Sequence, residues 1–128
     1  MGKAAPSPIL LVDDYRSVRR VVAAQLGRLG FSDIDEAADG AEALAKMRQR
    51  RYALVISDWN MQPMGGLDLL REVRADPELR TTPFVMLTAE GRTENAVVAR
   101  EAGASAYLMK PFDAGTLQSK LDGLLAAA

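Results

Sequence analysis

Five polar residues in this chain could act together on one small anion: Asp13, Asp14, Asp58, Thr88 and Lys110. Carboxylates held close together repel one another unless a cation sits among them or some keep their protons. An all-oxygen donor set with retained waters suits Mg²⁺. In such a site Asp14 and Asp58 could bind the ion directly, with Asp13 binding directly or through water. A carboxylate can also attack phosphorus and carry an aspartyl phosphate. The ion and the Lys110 ammonium would offset the charge on the phosphoryl oxygens, which is most of what phosphoryl transfer asks of a protein. Thr88 could donate a hydrogen bond to one of those oxygens, a bond present only in the phosphorylated state.

The rest of the composition narrows the field. The chain has no cysteine and no histidine, so thiolate nucleophiles, disulfides, histidine triads and histidine or cysteine metal sites are excluded within it. With 128 residues, 48% apolar and 26% charged, it has the size and balance of one globular domain spanning 1–128. The net charge of −1 gives no electrostatic case for nucleic acid or an anionic membrane. No apolar run approaches a membrane span and no signal peptide opens the chain, so the expected location is cytoplasmic. Residues 1–8 read as a polar leader and 126–128 as a frayed tail.

The elements that must position the five residues alternate. Ile9-Leu10-Leu11-Val12 is a continuous apolar run, as expected of a strand buried on both faces. Val18, Val21, Val22, Leu26 and Leu29 follow at helical spacing and stop at Gly30. A weaker strand covers 34–37, and Asp39-Gly40 opens a helix carrying Ala41, Leu44, Ala45 and Met47. A third strand spans 53–57. Gly65-Gly66 opens a helix with Leu67, Leu70 and Val73 inward, which ends at Asp76-Pro77. A strand at 84–87, a helix at 95–102 stopped by Gly103, a strand at 106–109 and a helix carrying Leu117, Leu121, Leu124 and Leu125 complete the pattern. Strict alternation predicts a three-layer α/β sandwich, a parallel sheet joined by right-handed crossover helices. In such a sheet ligands bind beyond the carboxyl ends of the strands. The five polar residues follow four different strands and converge on that edge.

The stretches LLVDDYRSVRR, EAADGAEAL, VISDWNMQPMGGLDLL, MLTAEGRTEN and AGASAYLMKPF resemble the receiver domains of two-component systems, in family order and spacing over nearly the whole chain. The resemblance implies a flavodoxin-like fold of strand order 2-1-3-4-5. It implies Asp58 as phospho-acceptor, with Asp13, Asp14, Asp58 and the Asn60 backbone carbonyl holding Mg²⁺. Thr88 and Lys110 would contact the phosphoryl group, Tyr107 would be a switch aromatic, and Asn60 and Glu90 would tune phosphate loss. Lys110-Pro111 matches the family's cis peptide. The partners implied are a histidine kinase and an output protein, with the flagellar motor switch as leading candidate. The changing surface would be the fourth helix, fifth strand and fifth helix, including Arg92, Arg100, Tyr107 and Lys120. With no output domain attached, the output would be a protein contact made by a monomer. Two departures lie beside the acceptor: Met61-Gln62-Pro63-Met64 shifts the proline by one, and Gly65 stands where an acidic residue is common.

Plainer roles compete for each residue. Asp13-Asp14 could cap a helix, Thr88 could cap the next one, Lys110 could be a solvated lysine and Tyr107 simple packing. Trp59, the sole tryptophan, would sit partly exposed beside Asp58. Arg16, Arg19 and Arg20 read as a solvated helix face, and Arg48, Arg50 and Arg51 as a helix end favoured by the dipole. Three other functions stay open: a phosphate sink or relay receiver in another pathway, a phosphorylation-independent scaffold, and an aspartate-nucleophile phosphatase of the haloacid-dehalogenase type. That last class carries DxD on its first strand, whereas this strand ends in DD and the fitting acceptor lies on the third.

Overall fold

The computed structural model describes residues 7–89, 93–110 and 112–125. The elements run β1 (Ile9–Val12), α1 (Arg16–Arg28), β2 (Ile34–Ala37), α2 (Gly40–Gln49), β3 (Leu54–Asp58), α3 (Gly66–Ala75), β4 (Phe84–Ala89), α4 (Thr93–Ala102), β5 (Ala106–Lys110) and α5 (Ala114–Leu125). The strands form one parallel sheet in the order β2-β1-β3-β4-β5, as the resemblance implies.

Alternation along each strand divides the core in two. Leu10, Val12, Val55, Phe84 and Met86 face Ala43, Leu44 and Met47 of α2, Leu69, Leu70 and Val73 of α3, and Ala99 of α4. Ile9, Leu11, Leu54, Ile56, Val85, Leu87 and Leu108 face Val22 and Leu26 of α1 and Leu117 and Leu121 of α5. Each central strand is buried on both faces, which explains its unbroken apolar run.

Local sequence sets the helix ends. Asp39 accepts the Glu42 amide at 2.9 Å and Glu42 reaches back to the Ala38 amide at 2.8 Å, two donors satisfied at the start of α2. After α1, Gly30 takes φ +101° while the Phe31 amide bonds the Leu26 carbonyl, a turn that a β-carbon would strain.

The structure departs from the sequence reading at element ends and on helix faces; β3 starts at Leu54 and α4 at Thr93. β3, β4 and β5 run on to Asp58, Ala89 and Lys110, because ladder hydrogen bonds continue past the last apolar side chain. Val21 is 58% exposed, and Ala41 and Ala45 also face solvent, being turned away from the sheet. The inward residues of α3 include Leu69, whereas Leu67 is only half-buried.

Candidate functional site

Strand register brings the polar residues together. Val12 pairs with Ser57, so Asp13 and Asp58 lie side by side one step further on. Asp58 pairs with Leu87, next to Thr88, and Ala89 pairs with Lys110. Asp13, Asp58 and Thr88 are buried, whereas Asp14 is exposed at the rim. Each of Asp13, Asp14 and Asp58 offers a carboxylate oxygen within 4.8 Å of the others. The Lys110 ammonium stands 3.0 Å from Asp58 Oδ1 and 3.5 Å from Asp13 Oδ2. An all-oxygen set of this kind, open on the Asp14 side, fits a hard divalent cation such as Mg²⁺.

Asp13 is held at four atoms. Its amide donates to the Ala37 carbonyl at 3.1 Å, and Oδ1 accepts the Tyr15 amide at 2.9 Å. Oδ2 faces Lys110, and its carbonyl accepts from Arg19 Nη1. The Asp13-Asp14 pair is therefore not a helix cap: the α1 N-cap position is Tyr15, with no side-chain cap.

Burial and the Asp58 charge push the Asp13 carboxyl above its ordinary value, against the Tyr15 amide and Lys110. Burial pulls Lys110 down, but its hydrogen bond and charge contact with Asp58, with Asp13 behind, outweigh it and hold the ammonium above the usual lysine value. An acid whose folded pKa is raised binds its proton more tightly in the folded state. The stability it contributes is present below the ordinary value of 3.8 and is lost as pH climbs through the raised pKa. Ionised Asp13 is thus a liability near neutral pH without metal. Asp13→Asn should raise metal-free stability at pH 7 by about 0.5–2 kcal/mol, a gain typical of relieving a functional site. Urea unfolding in EDTA checks this, and an unchanged or lowered midpoint would count against it.

The remaining residues fall around this centre. Trp59 is half-buried against the α2–α3 side of the core, with its amide on the Leu87 carbonyl at 2.9 Å. Asn60 is exposed in the loop after β3. Tyr107, in register with Met86, is half-buried and packs on the sheet face shared with α4. Arg100 is exposed on α4. Glu90, Arg92 and Pro111 lie outside the described residues. The cis peptide among the described residues is Gln62-Pro63.

In each of the two basic clusters one arginine departs from its expectation. Arg16 and Arg20 are exposed, but Arg19 is 15% exposed, bonded to Glu36 and Asp13. Arg50 pairs with Asp33 and Asp35 and lies over the Tyr52 ring, so ion pairs rather than the helix dipole place it. Sequence reasoning placed Gly66 at the start of α3 but missed its contact with β3. A β-carbon there would stand 2.0 Å from the Asp58 carbonyl oxygen, so α3 presses its first residue against the acceptor's own backbone. The helical wheel held a signal for Arg19, which falls beside the buried arc of Val22 and Leu26. For Gly66 the only signal was the Gly-Gly pair.

A family model described as the response regulator receiver domain matches residues 9–122. The chemotaxis protein CheY-3 of Vibrio cholerae is 46% identical over 114 residues, which are 89% of this chain and 88% of that protein. The chemotaxis protein CheY of Pseudomonas aeruginosa is 41% identical over 114 residues, covering 89% and 92%. Among solved structures, Vibrio cholerae CheY4 superposes with a TM-score of 0.86 at 38% identity, covering 94% of this chain and all (100%) of that one. A CheY-like receiver protein from Methanospirillum hungatei gives 0.84 at 30% identity, covering 96% of each chain.

Proposed function

The chain belongs to the response-regulator receiver family, and from that premise we propose that it is a phospho-switch whose acceptor is Asp58. The donor is a partner histidine kinase, and the output is protein binding at the α4–β5–α5 face. The observation that carries this is the Asp13, Asp14 and Asp58 carboxylate cluster, with Lys110 3.0 Å from Asp58 at the carboxyl edge of the sheet. Relatives named as chemotaxis proteins favour motor control over a phosphate sink or relay in another pathway. The family match leaves the phosphatase alternative without support.

Asp13, Asp14, Asp58 and the Asn60 backbone carbonyl would hold Mg²⁺, which would supply positive charge to the phosphoryl oxygens. The chain's own residues do the rest. A carboxylate oxygen of Asp58 bonds to phosphorus as the donor's phosphorus–nitrogen bond breaks, and that electron pair returns to the imidazole nitrogen. Lys110, already against Asp58 Oδ1, transfers its hydrogen bond to a phosphoryl oxygen. The Thr88 hydroxyl donates to another, and its movement frees space into which Tyr107, on the same sheet face, turns. Asn60 and Glu90 stand at the sequence positions that tune loss of the phosphate in the family the chain resembles. Trp59, packed beside the acceptor, reports the change.

On the proposed output face Val97 is 44% and Met109 48% exposed and Arg100 is exposed; methionine and arginine are residue types that contact surfaces favour. Among the described residues no helix is long and apolar enough to cross a membrane. A cytoplasmic monomer is the form in which such a switch would diffuse between kinase and target.

Trp59 fluorescence titrated with Mg²⁺ and then acetyl phosphate tests this, with intact mass alongside. The expected result is metal- and donor-dependent quenching with one phosphoryl adduct, both lost in EDTA and in Asp58→Asn. Absence of the adduct in the unmodified protein would sink the phospho-acceptor role and favour a scaffold.

A further inference from the structure

We propose that Arg19 is a positioning residue for the acidic pair: anchored on Glu36, its guanidinium straps down the turn that presents the Asp13 and Asp14 carboxylates to a divalent cation. The inference rests on the reading that those carboxylates bind one.

Arg19 holds the turn on the Asp13 side of Asp14. Its side chain donates from Nη1 to the Asp13 carbonyl, while its backbone amide makes the first helical bond of α1, to the Tyr15 carbonyl at 3.2 Å, as any residue there would. Asp14, between these points, is exposed and free to turn its carboxylate toward an ion. The strap is itself tethered, because Arg19 Nε donates to Glu36 Oε1 at 2.6 Å. Glu36 sits on the edge strand β2, paired with Leu11 of β1, and its carbonyl is held by Lys46 Nζ at 2.7 Å.

Two features separate this from an ordinary surface ion pair. Arg19 is 15% exposed where Glu36 is 41% exposed, so the cation is the more buried partner. It also spends its charge on a main-chain carbonyl and on β2, leaving the site carboxylates free of it. A planar guanidinium reaches two acceptors on two segments at fixed angles, whereas a lysine ammonium is a single point charge on a flexible stem. Groups that orient metal ligands without touching the metal typically change affinity about 10–100-fold when lost.

The test is the Mg²⁺ dissociation constant of the intact chain, by Trp59 fluorescence and calorimetry, beside the thermal midpoint in EDTA. Arg19→Lys and Glu36→Ala should each weaken Mg²⁺ binding at least tenfold while the midpoint in EDTA stays close to the parent's. Glu36→Gln, which keeps the acceptor, should restore most of the affinity. Arg20→Lys, altering the exposed neighbour, should leave it unchanged. Parent-like affinity in both Arg19→Lys and Glu36→Ala overturns the proposal, as does a loss explained by unfolding alone. If the parent binds Mg²⁺ and Asp14→Asn does not, a null result in these variants removes the strap and leaves the metal site. If the parent binds none, the site reading falls and the strap with it.

Discussion

Replacing Gly66 by alanine is expected to cost about 3 kcal/mol of stability, at the upper end for overpacking a filled site, and to cripple phosphoryl uptake at Asp58. The added methyl would lie 2.0 Å from the Asp58 carbonyl oxygen and 3.0 Å from Met86 Sδ. The thioether can swing aside, but the carbonyl cannot. It belongs to β3, buried at every position and paired on both sides. Gly66 cannot retreat either, because its amide is bonded to the Trp59 carbonyl at 2.9 Å and its residue opens α3. The strain must move either the helix start or the acceptor, and both damage the site. Gly40 is the control. A β-carbon there meets the flexible Met64 side chain at 2.6 Å, so Gly40→Ala should cost far less, under about 1 kcal/mol, once Met64 repacks. Urea unfolding of the two variants decides it, and a Gly66→Ala protein within 1 kcal/mol of the parent would show that β3 and α3 yield more than their packing indicates.

The second large effect concerns Lys110. Lys110→Ala should slow phosphoryl uptake from acetyl phosphate roughly 10²–10³-fold, the usual cost of removing one fixed donor to developing charge. It should at the same time tighten Mg²⁺ binding, because the ammonium lies 3.0 Å from Asp58 and 3.5 Å from Asp13 and competes with the ion for both. The opposed signs are diagnostic. A variant that is merely misfolded loses both properties. Lys110→Arg should rescue poorly, because the wider planar fork must fit where a point charge stood. Adduct formation followed by mass over time, with Mg²⁺ titration beside it, reads both. Uptake within threefold of the parent would remove Lys110 from the chemistry.

Much of the fold was legible because burial is written in side chains. Ile9–Val12 and Ile34–Ala37 have the bounds the apolar pattern gave. Asp39 and Gly30 marked ends that the structure keeps. The strand ends at Asp58, Thr88-Ala89 and Lys110 were not legible, because backbone ladders are indifferent to side-chain polarity. Convergence of the acidic residues on one edge followed from their place at the carboxyl ends of strands that strict alternation makes parallel. Arg19 was misread because its partner, Glu36, is on β2, brought near only by the β1–β2 pairing. Gly66 was placed correctly at the start of α3, but its approach to the Asp58 carbonyl was not legible, because a close approach between backbones is invisible until both segments are placed.

The sheet is also a graded spring. β3 is buried along its whole length between two neighbours, whereas β5 has one neighbour and a half-exposed surface ending in Met109 and Lys110. A new charge delivered at Asp58 is delivered at the stiff end, where the cost of displacement is highest. Strain would relax most easily toward an edge, where a strand and its helix move at the least expense of packing. Of the two edges, β2 and β5, only β5 carries a side chain, Lys110, set 3.0 Å from Asp58, so in the proposed switch β5 is the edge mechanically coupled to the acceptor.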